Sequence, residues 1–152
     1  MLSKKAKYAI RALIHLGKKG PGRPVLIRDI AEQERLPQKF LEAILLELKS
    51  AGILAARPGK GGGYGLRQPP ELINLGRVIR LIDGPLAPIA CVSQTAYAPC
   101  DDCPDERTCV IRAVMKQVRD ATAKILDDTS LAELLEQQSR LSAPGAAIDF
   151  TI

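Results

Sequence analysis

Residues 53–67 constrain this chain more than any other segment. Ile53 to Arg57 reads as a strand, Pro58-Gly59-Lys60-Gly61-Gly62-Gly63 interrupts it, and Tyr64-Gly65-Leu66-Arg67 can return as a second strand. A glycine-rich break between two short extended runs predicts a β-hairpin. A phosphate-binding loop of the nucleotide-binding kind is excluded by spacing. Lys60 is followed by Gly61 where that loop needs Ser or Thr, and Leu54 stands where its first Gly belongs.

Three helices are expected ahead of the hairpin. Ala6, Ile10, Leu13 and Ile14 form an apolar stripe over Lys4 to Leu16, with Gly17 as the expected C-cap and Gly20-Pro21-Gly22 as a turn. Ile27 to Glu34 is a short second helix presenting Ile27, Ile30 and Ala31 to the core. Pro37 suits the first position of a third helix, whose face of Phe40, Leu41, Ile44, Leu45 and Leu48 stops before Gly52. Two helices joined by a tight turn near Arg35-Leu36 make a helix-turn-helix, and a hairpin directly after one is a wing. The predicted fold is mainly α with a small β-hairpin wing: a winged helix-turn-helix domain over residues 1–84.

Charge assigns a partner to this half. Residues 1–80 carry 16 Lys+Arg against 6 Asp+Glu, whereas residues 81–152 carry 6 against 11, so the net +5 of the chain divides into +10 and −5. A basic half of this size predicts a polyanion, and double-stranded DNA is the leading candidate. With one face of the third helix committed to the core, Pro37, Gln38, Lys39 and Glu42 are expected in the major groove. Lys4, Lys5, Lys7 and Arg11 of the first helix are expected over the DNA backbone, and Arg28 of the second is a further candidate. In the wing, Arg57, Lys60, Gly61, Gly62 and Tyr64 are expected at the DNA, the glycines allowing close approach to phosphates. His15, the only histidine, is expected as a packed or half-exposed helix residue.

The acidic half opens with Asn74 as cap of a helix over Leu75 to Asp83, stopped by Gly84-Pro85. All four cysteines then fall within 19 residues, as C-x8-C-x2-C-x5-C at Cys91, Cys100, Cys103 and Cys109. The intervening residues, including Ser93, Gln94, Pro99, Asp101 and Asp102, are loop-like, so these cysteines are expected as ligands rather than as buried hydrophobes. Cys103-Pro104-Asp105-Glu106 reads as a helix start, which would place the Cys103 sulfur near helical N–H groups and Cys109 nearly two turns inside. Four thiolates suit tetrahedral zinc and an iron–sulfur cluster equally, and a metal-free thiol switch or disulfides stay open.

Beyond Cys109, Val110, Ile111, Val114, Met115, Val118, Thr122, Ile125 and Leu126 recur at helical spacing, and this long amphipathic helix predicts a homodimer. Ser130-Leu131-Ala132-Glu133 supplies a capping box for a short final helix. The expected organisation is a cysteine-rich sensor loop over 85–109, a dimerisation helix and final helix over 104–139, and a flexible tail over 140–152. Arg11 and His15 interrupt the N-terminal apolar stretch, and no run approaches the ~20 residues that cross a bilayer. A cytoplasmic protein with no membrane partner is therefore expected. With no paired acid and base, no nucleophile motif and one histidine, an enzyme is not expected.

Several runs together resemble the Rrf-type winged-helix transcription regulators, which include the iron–sulfur-assembly regulator IscR and the nitric-oxide-sensing repressor NsrR. They are Lys7-Tyr8-Ala9-Ile10-Arg11-Ala12-Leu13, Phe40-Leu41-Glu42 with Ala51-Gly52, the wing Arg57-Pro58-Gly59-Lys60-Gly61-Gly62-Gly63-Tyr64, and cysteines just before a long helix. The resemblance spans about Met1 to Glu136. It implies a homodimer crossed through the long helix, an operator read by the third helix and wing, and a [2Fe–2S] or [4Fe–4S] cluster on three cysteines. Cys91, Cys103 and Cys109 match that trio best, and Cys100 is extra. Where the assembly regulator has a histidine ligand this chain has Arg112, and where some nitric-oxide sensors have an acidic ligand it has Lys7. Both are cations at neutral pH and neither can bind iron. Cys100 is therefore the expected fourth ligand of an all-cysteine site. Ala43 replaces a polar residue of the assembly regulator's reading helix, so the operator sequence does not carry over. The expected function is a cluster-gated DNA-binding repressor sensing redox, iron or nitric oxide. The alternatives are a zinc-stapled or thiol-switch regulator and a winged-helix protein-interaction adaptor.

Overall fold

The computed structural model describes residues 2–145. Six α-helices and one hairpin follow in order: α1 (Lys4–Lys19), α2 (Ile27–Glu34), α3 (Gln38–Ser50), β1 (Leu54–Arg57), β2 (Gly63–Leu66), α4 (Leu75–Asp83), α5 (Val110–Asp128) and α6 (Leu131–Leu141). Short 3-10 turns occupy Pro70–Leu72, Ala90–Val92 and Glu106–Thr108.

The core lies where α1, α2 and α3 meet. Ala9, Leu13 and Leu16 of α1, Ile30 of α2 and Leu41, Ile44, Leu45 and Leu48 of α3 are all buried there, with Leu54 and Leu66 of the hairpin closing one side. Only apolar positions at i, i+3 and i+4 can share one helix face, which is why each helix leaves its opposite face in solvent. Tyr8 and Phe40 meet edge to face with ring centroids 5.7 Å apart, at the rim of this core.

α1 runs three residues beyond its expected end. Gly17 lies inside the helix and the C-cap is Gly20, whose N–H donates to the Gly17 carbonyl. The reason is tertiary: a Cβ on Gly17 would stand 2.9 Å from Leu135 Cδ1, so this glycine admits α6 against α1. The third helix likewise begins one residue later than expected. Pro37, in extended conformation, is its N-cap and Gln38 is its first residue. The turn before it is made by Arg35, left-handed at φ 53°, with its N–H bonded to the carbonyls of Ala31 and Glu32.

The hairpin pairs antiparallel in the register Leu54↔Leu66, Ala55↔Gly65, Ala56↔Tyr64 and Arg57↔Gly63. A third segment joins its free edge. Val25 exchanges both backbone hydrogen bonds with Tyr64, at 2.8 and 2.9 Å, and Gly22 N–H donates to the Leu66 carbonyl. The covered edge ties the wing to the loop between α1 and α2.

Asn74 caps α4 by accepting from Arg77 N–H at 2.7 Å, and Ser130 and Glu133 close the expected capping box on α6. These two helix starts lie side by side. Leu75 N–H donates to the Thr129 carbonyl and Leu131 N–H to the Ile73 carbonyl, at 2.9 and 2.7 Å. Leu131 is thereby buried in the same core as α1. α6 extends to Leu141, so the first two residues expected in the tail are helical, and residues 146–152 lie outside the described residues. Among the described residues no helix is long and apolar enough to cross a membrane.

Candidate nucleic-acid interface and cysteine centre

Lys39 and Glu42 are exposed on the first turns of α3, beside exposed Pro37 and Gln38, where Gln38 Nε2 donates to Glu42 Oε1 at 3.5 Å. Arg57 and Lys60 are exposed at the wing, and Tyr64 is half-buried in β2. Gly61 is exposed, but Gly62 is buried within the turn, where a Cβ would collide with the Arg57 carbonyl. Gly62 therefore closes the loop from inside.

The cations of α1 divide into two kinds. Lys5 pairs with Glu47 of α3, and Arg11 bonds the Glu34 carbonyl and lies 3.6 Å from its carboxylate. Both brace helix against helix. Among the described residues no ion pair engages Lys4, Lys7, Lys39, Arg57 or Lys60, while Arg28 has Asp29 at 3.6 Å and stays largely exposed. His15 is buried, its Nδ1 3.0 Å from Glu34 Oε1. Lys19 and Arg23, which carry no local sequence signal of a DNA contact, line a recess with Gly61 and Gly62. Neither belongs to a local pattern, and only the pairing of residues 22–25 with the wing brings them there.

The cysteine segment departs from expectation at three points. First, no helix begins at Cys103. Residues 106–108 form a 3-10 turn and α5 starts at Val110, with Cys109 as N-cap accepting from Arg112 N–H at 3.4 Å. Pro104 does not open the helix because Asp105 captures Arg107 N–H instead, at 2.9 Å, and that local bond favours a turn. The sulfur at the helix N-terminus is that of Cys109. Second, Cys91 is buried, within the Ala90–Val92 turn. Third, the four thiols are not gathered. Among the described residues no three His, Cys, Asp or Glu groups stand together as a metal-binding set.

Their environments differ accordingly. Exposed Cys100 donates to Asp102 Oδ1 at 2.9 Å, and that carboxylate pushes its pKa up. The pKa of half-buried Cys103 is pushed up by partial loss of solvent and then by the neighbouring Cys109 thiol. Cys103 and Cys109 are thus neighbours. Thiol donors suit iron–sulfur and zinc chemistry, although among the described residues the four do not stand together as one ligand set.

α5 connects the cysteine segment to the basic half. Arg80 of α4 grips Asp127 of α5 through two bonds, at 2.6 and 2.9 Å, and holds that carboxyl below the usual carboxylate range. Gly76 leaves the room, since a Cβ there would overlap the Asp127 carboxylate. One turn earlier, Arg77 donates to the Ala51 carbonyl at the end of α3, at 2.9 Å, and to Gln68, which itself holds the Gly52 carbonyl. α4 thus touches α5 with one arginine and the end of the candidate reading helix with the other. On its other side, α5 leaves Val110, Ile111, Val114, Val118 and Ile125 exposed, and no α5 residue is buried.

A family model described as "Rrf2: Iron-dependent Transcriptional regulator" matches residues 2–137. The chain belongs to the Rrf2 family. This Rrf2 protein is 39% identical over 138 residues to an rrf2-like HTH-type regulator of Rhodobacter capsulatus, covering 89% of this chain and 92% of the relative. It superposes on CymR, the global cysteine regulator of B. subtilis, with a TM-score of 0.73 at 29% identity, covering 90% and 97% of the two chains. IscR of T. potens shares the fold, with a TM-score of 0.74 at 24% identity over 94% and 91% of the chains. The Rrf2 chain is accordingly a winged-helix DNA-binding transcriptional regulator and not an enzyme.

Proposed function

We propose that this regulator binds operator DNA as a homodimeric repressor, and that a cysteine-ligated iron–sulfur cluster, [2Fe–2S] or [4Fe–4S], governs that binding. The carrying observation is that the cysteine segment is anchored at both ends to α5, through Cys109 at its N-cap and the Cys91 carbonyl on Arg112. Cys91, Cys103 and Cys109 would hold the cluster, with Cys100 as fourth ligand. A bound cluster would supply a link between these sulfurs that oxidants or nitric oxide can break. The rest is done by the chain. A shift of the first turn of α5 reaches α4 through Asp127 and Arg80, and Arg77 passes it to the end of α3. The exposed apolar face of α5 provides the surface on which a second copy would pack.

The deciding experiment is a visible spectrum with iron, sulfide and zinc analysis on protein purified without oxygen. Brown protein containing iron and sulfide supports the reading. Colourless protein with one zinc per chain replaces it with a zinc-stapled regulator. Metal-free protein that stays so after anaerobic reconstitution leaves the thiol switch, a second reading that the nearness of Cys103 and Cys109 favours.

DNA contact by the wing has its own test. Arg57→Ala should weaken duplex binding by roughly tenfold and flatten the dependence of log K on log salt by about one, because one phosphate-neutralising charge is lost. Arg57 is exposed, so stability should change by less than about 0.5 kcal/mol. Unchanged affinity across a salt series would remove the wing from the interface.

A further inference from the structure

Two arginines of α5 hold the backbone of the cysteine segment. Arg112 Nε donates to the Cys91 carbonyl at 3.2 Å, and Arg119, about two turns further along the helix, donates to the carbonyl of Val92. The turn they grip is well packed, with Cys91 and Val92 both buried. Arg112 is itself aimed. Glu106 Oε2 lies 3.6 Å from its Nε, and Tyr97 fixes that carboxylate by donating to Oε1 at 2.7 Å. The backbone N–H of the same Arg112 donates to the Cys109 sulfur at 3.4 Å. One residue therefore touches both ends of the cysteine segment, its N–H on one cysteine and its side chain on another.

We propose that Arg112 is a positioning residue, which holds the Cys91 turn against the first turn of α5 so that Cys91 is kept at the helix end capped by Cys109. A guanidinium suits this task because its Nε–H donates to the carbonyl while its delocalised positive charge keeps the Glu106 carboxylate close, as an ion pair rather than a second hydrogen bond. A carbonyl held by a charged donor forms one of the stronger neutral-to-ion hydrogen bonds, and here it is supported by burial of the turn. The consequence for metal binding rests on the proposed cysteine centre, but the positioning does not. Prepositioned Cys91 reduces the ordering that any thiolate-bound metal must impose, as partners outside the ligand set do elsewhere.

The test uses the full-length, reduced, metal-free protein under anaerobic conditions, with the N-ethylmaleimide alkylation rate of each cysteine followed by mass spectrometry. Wild-type Cys91, which is buried, should be the slowest of the four. Arg112→Ala should accelerate Cys91 by about tenfold and leave Cys100 unchanged, and Arg112→Lys, which keeps a charged donor for the carbonyl, should restore much of the protection. An unchanged Cys91 rate overturns the proposal. So does an equal acceleration at all four cysteines, or an Arg112→Lys protein as fast as Arg112→Ala. If Arg112→Ala does not fold, Glu106→Gln removes the charge that aims the guanidinium and should accelerate Cys91 less strongly; no acceleration there overturns the proposal equally. Titration with Co(II), read by thiolate charge-transfer absorption, should show affinity about tenfold lower in Arg112→Ala than in wild type. A wild-type protein that binds no Co(II) through sulfur would sink the metal-centre reading, and the alkylation rates would still decide the role of Arg112.

Discussion

Gly63→Ala should open the wing and reduce stability by about 2–4 kcal/mol, a loss readable in a denaturant melt and in duplex affinity. Gly63 sits at φ 129°, a conformation that L side chains rarely adopt, and a Cβ there would collide with the Val25 carbonyl, which is backbone and cannot swing aside. Backbone strain of this kind costs about 1–3 kcal/mol, and overpacking costs a similar amount. The contact at stake is the one joining β2 to the loop before α2, since Val25 and Tyr64 exchange two hydrogen bonds beside it. Gly59→Ala separates strain from collision. Gly59 has φ 83° with nothing within 4 Å of its would-be Cβ, so its alanine variant should lose only about 1 kcal/mol. Equal losses in the two variants would refute the close approach at Gly63.

Leu45→Ala should cost about 2–5 kcal/mol and lower the urea midpoint by about 1–2 M. Leu45 is fully buried on α3, among Leu13, Leu16, Ile44 and Leu48. Its removal leaves a cavity that a core built from three crossing helices can close only in part. The neighbouring Leu46 is 55% exposed, and Leu46→Ala should change stability by less than about 0.5 kcal/mol. The pair tests which face of the candidate reading helix is committed to the core. A large loss at Leu46 with a small one at Leu45 would rotate α3 and with it every residue assigned to the DNA side.

The features legible in the sequence share a range of a few residues. Asn74 and Ser130 are caps because a side-chain oxygen bonds an N–H three residues on, and both were readable as letters. The apolar stripes of α1 to α3, the turn at Arg35-Leu36 and the glycine-rich hairpin were legible for the same reason. Periodicity and turn chemistry are local.

Other features were settled only by contacts between distant segments. Gly17 has the letters of a helix stop, yet it lies inside α1 because Leu135 packs on it. Cys103-Pro104 has the letters of a helix start, yet Cys109 caps α5, where Arg112 N–H meets its sulfur and the Arg112 side chain holds Cys91. Lys5 and Arg11, read as DNA contacts, have Glu47 and Glu34 beside them. Arg80 and Asp127 carry no mark of each other, and they meet because the starts of α4 and α6 exchange backbone hydrogen bonds. Sequence alone determined the elements and the basic half, since those follow from short-range hydrogen bonds, periodicity and composition. The burial of a cysteine, the partner of an arginine and the neighbour of a glycine were decided by tertiary packing, because each depends on which distant surface arrives against it.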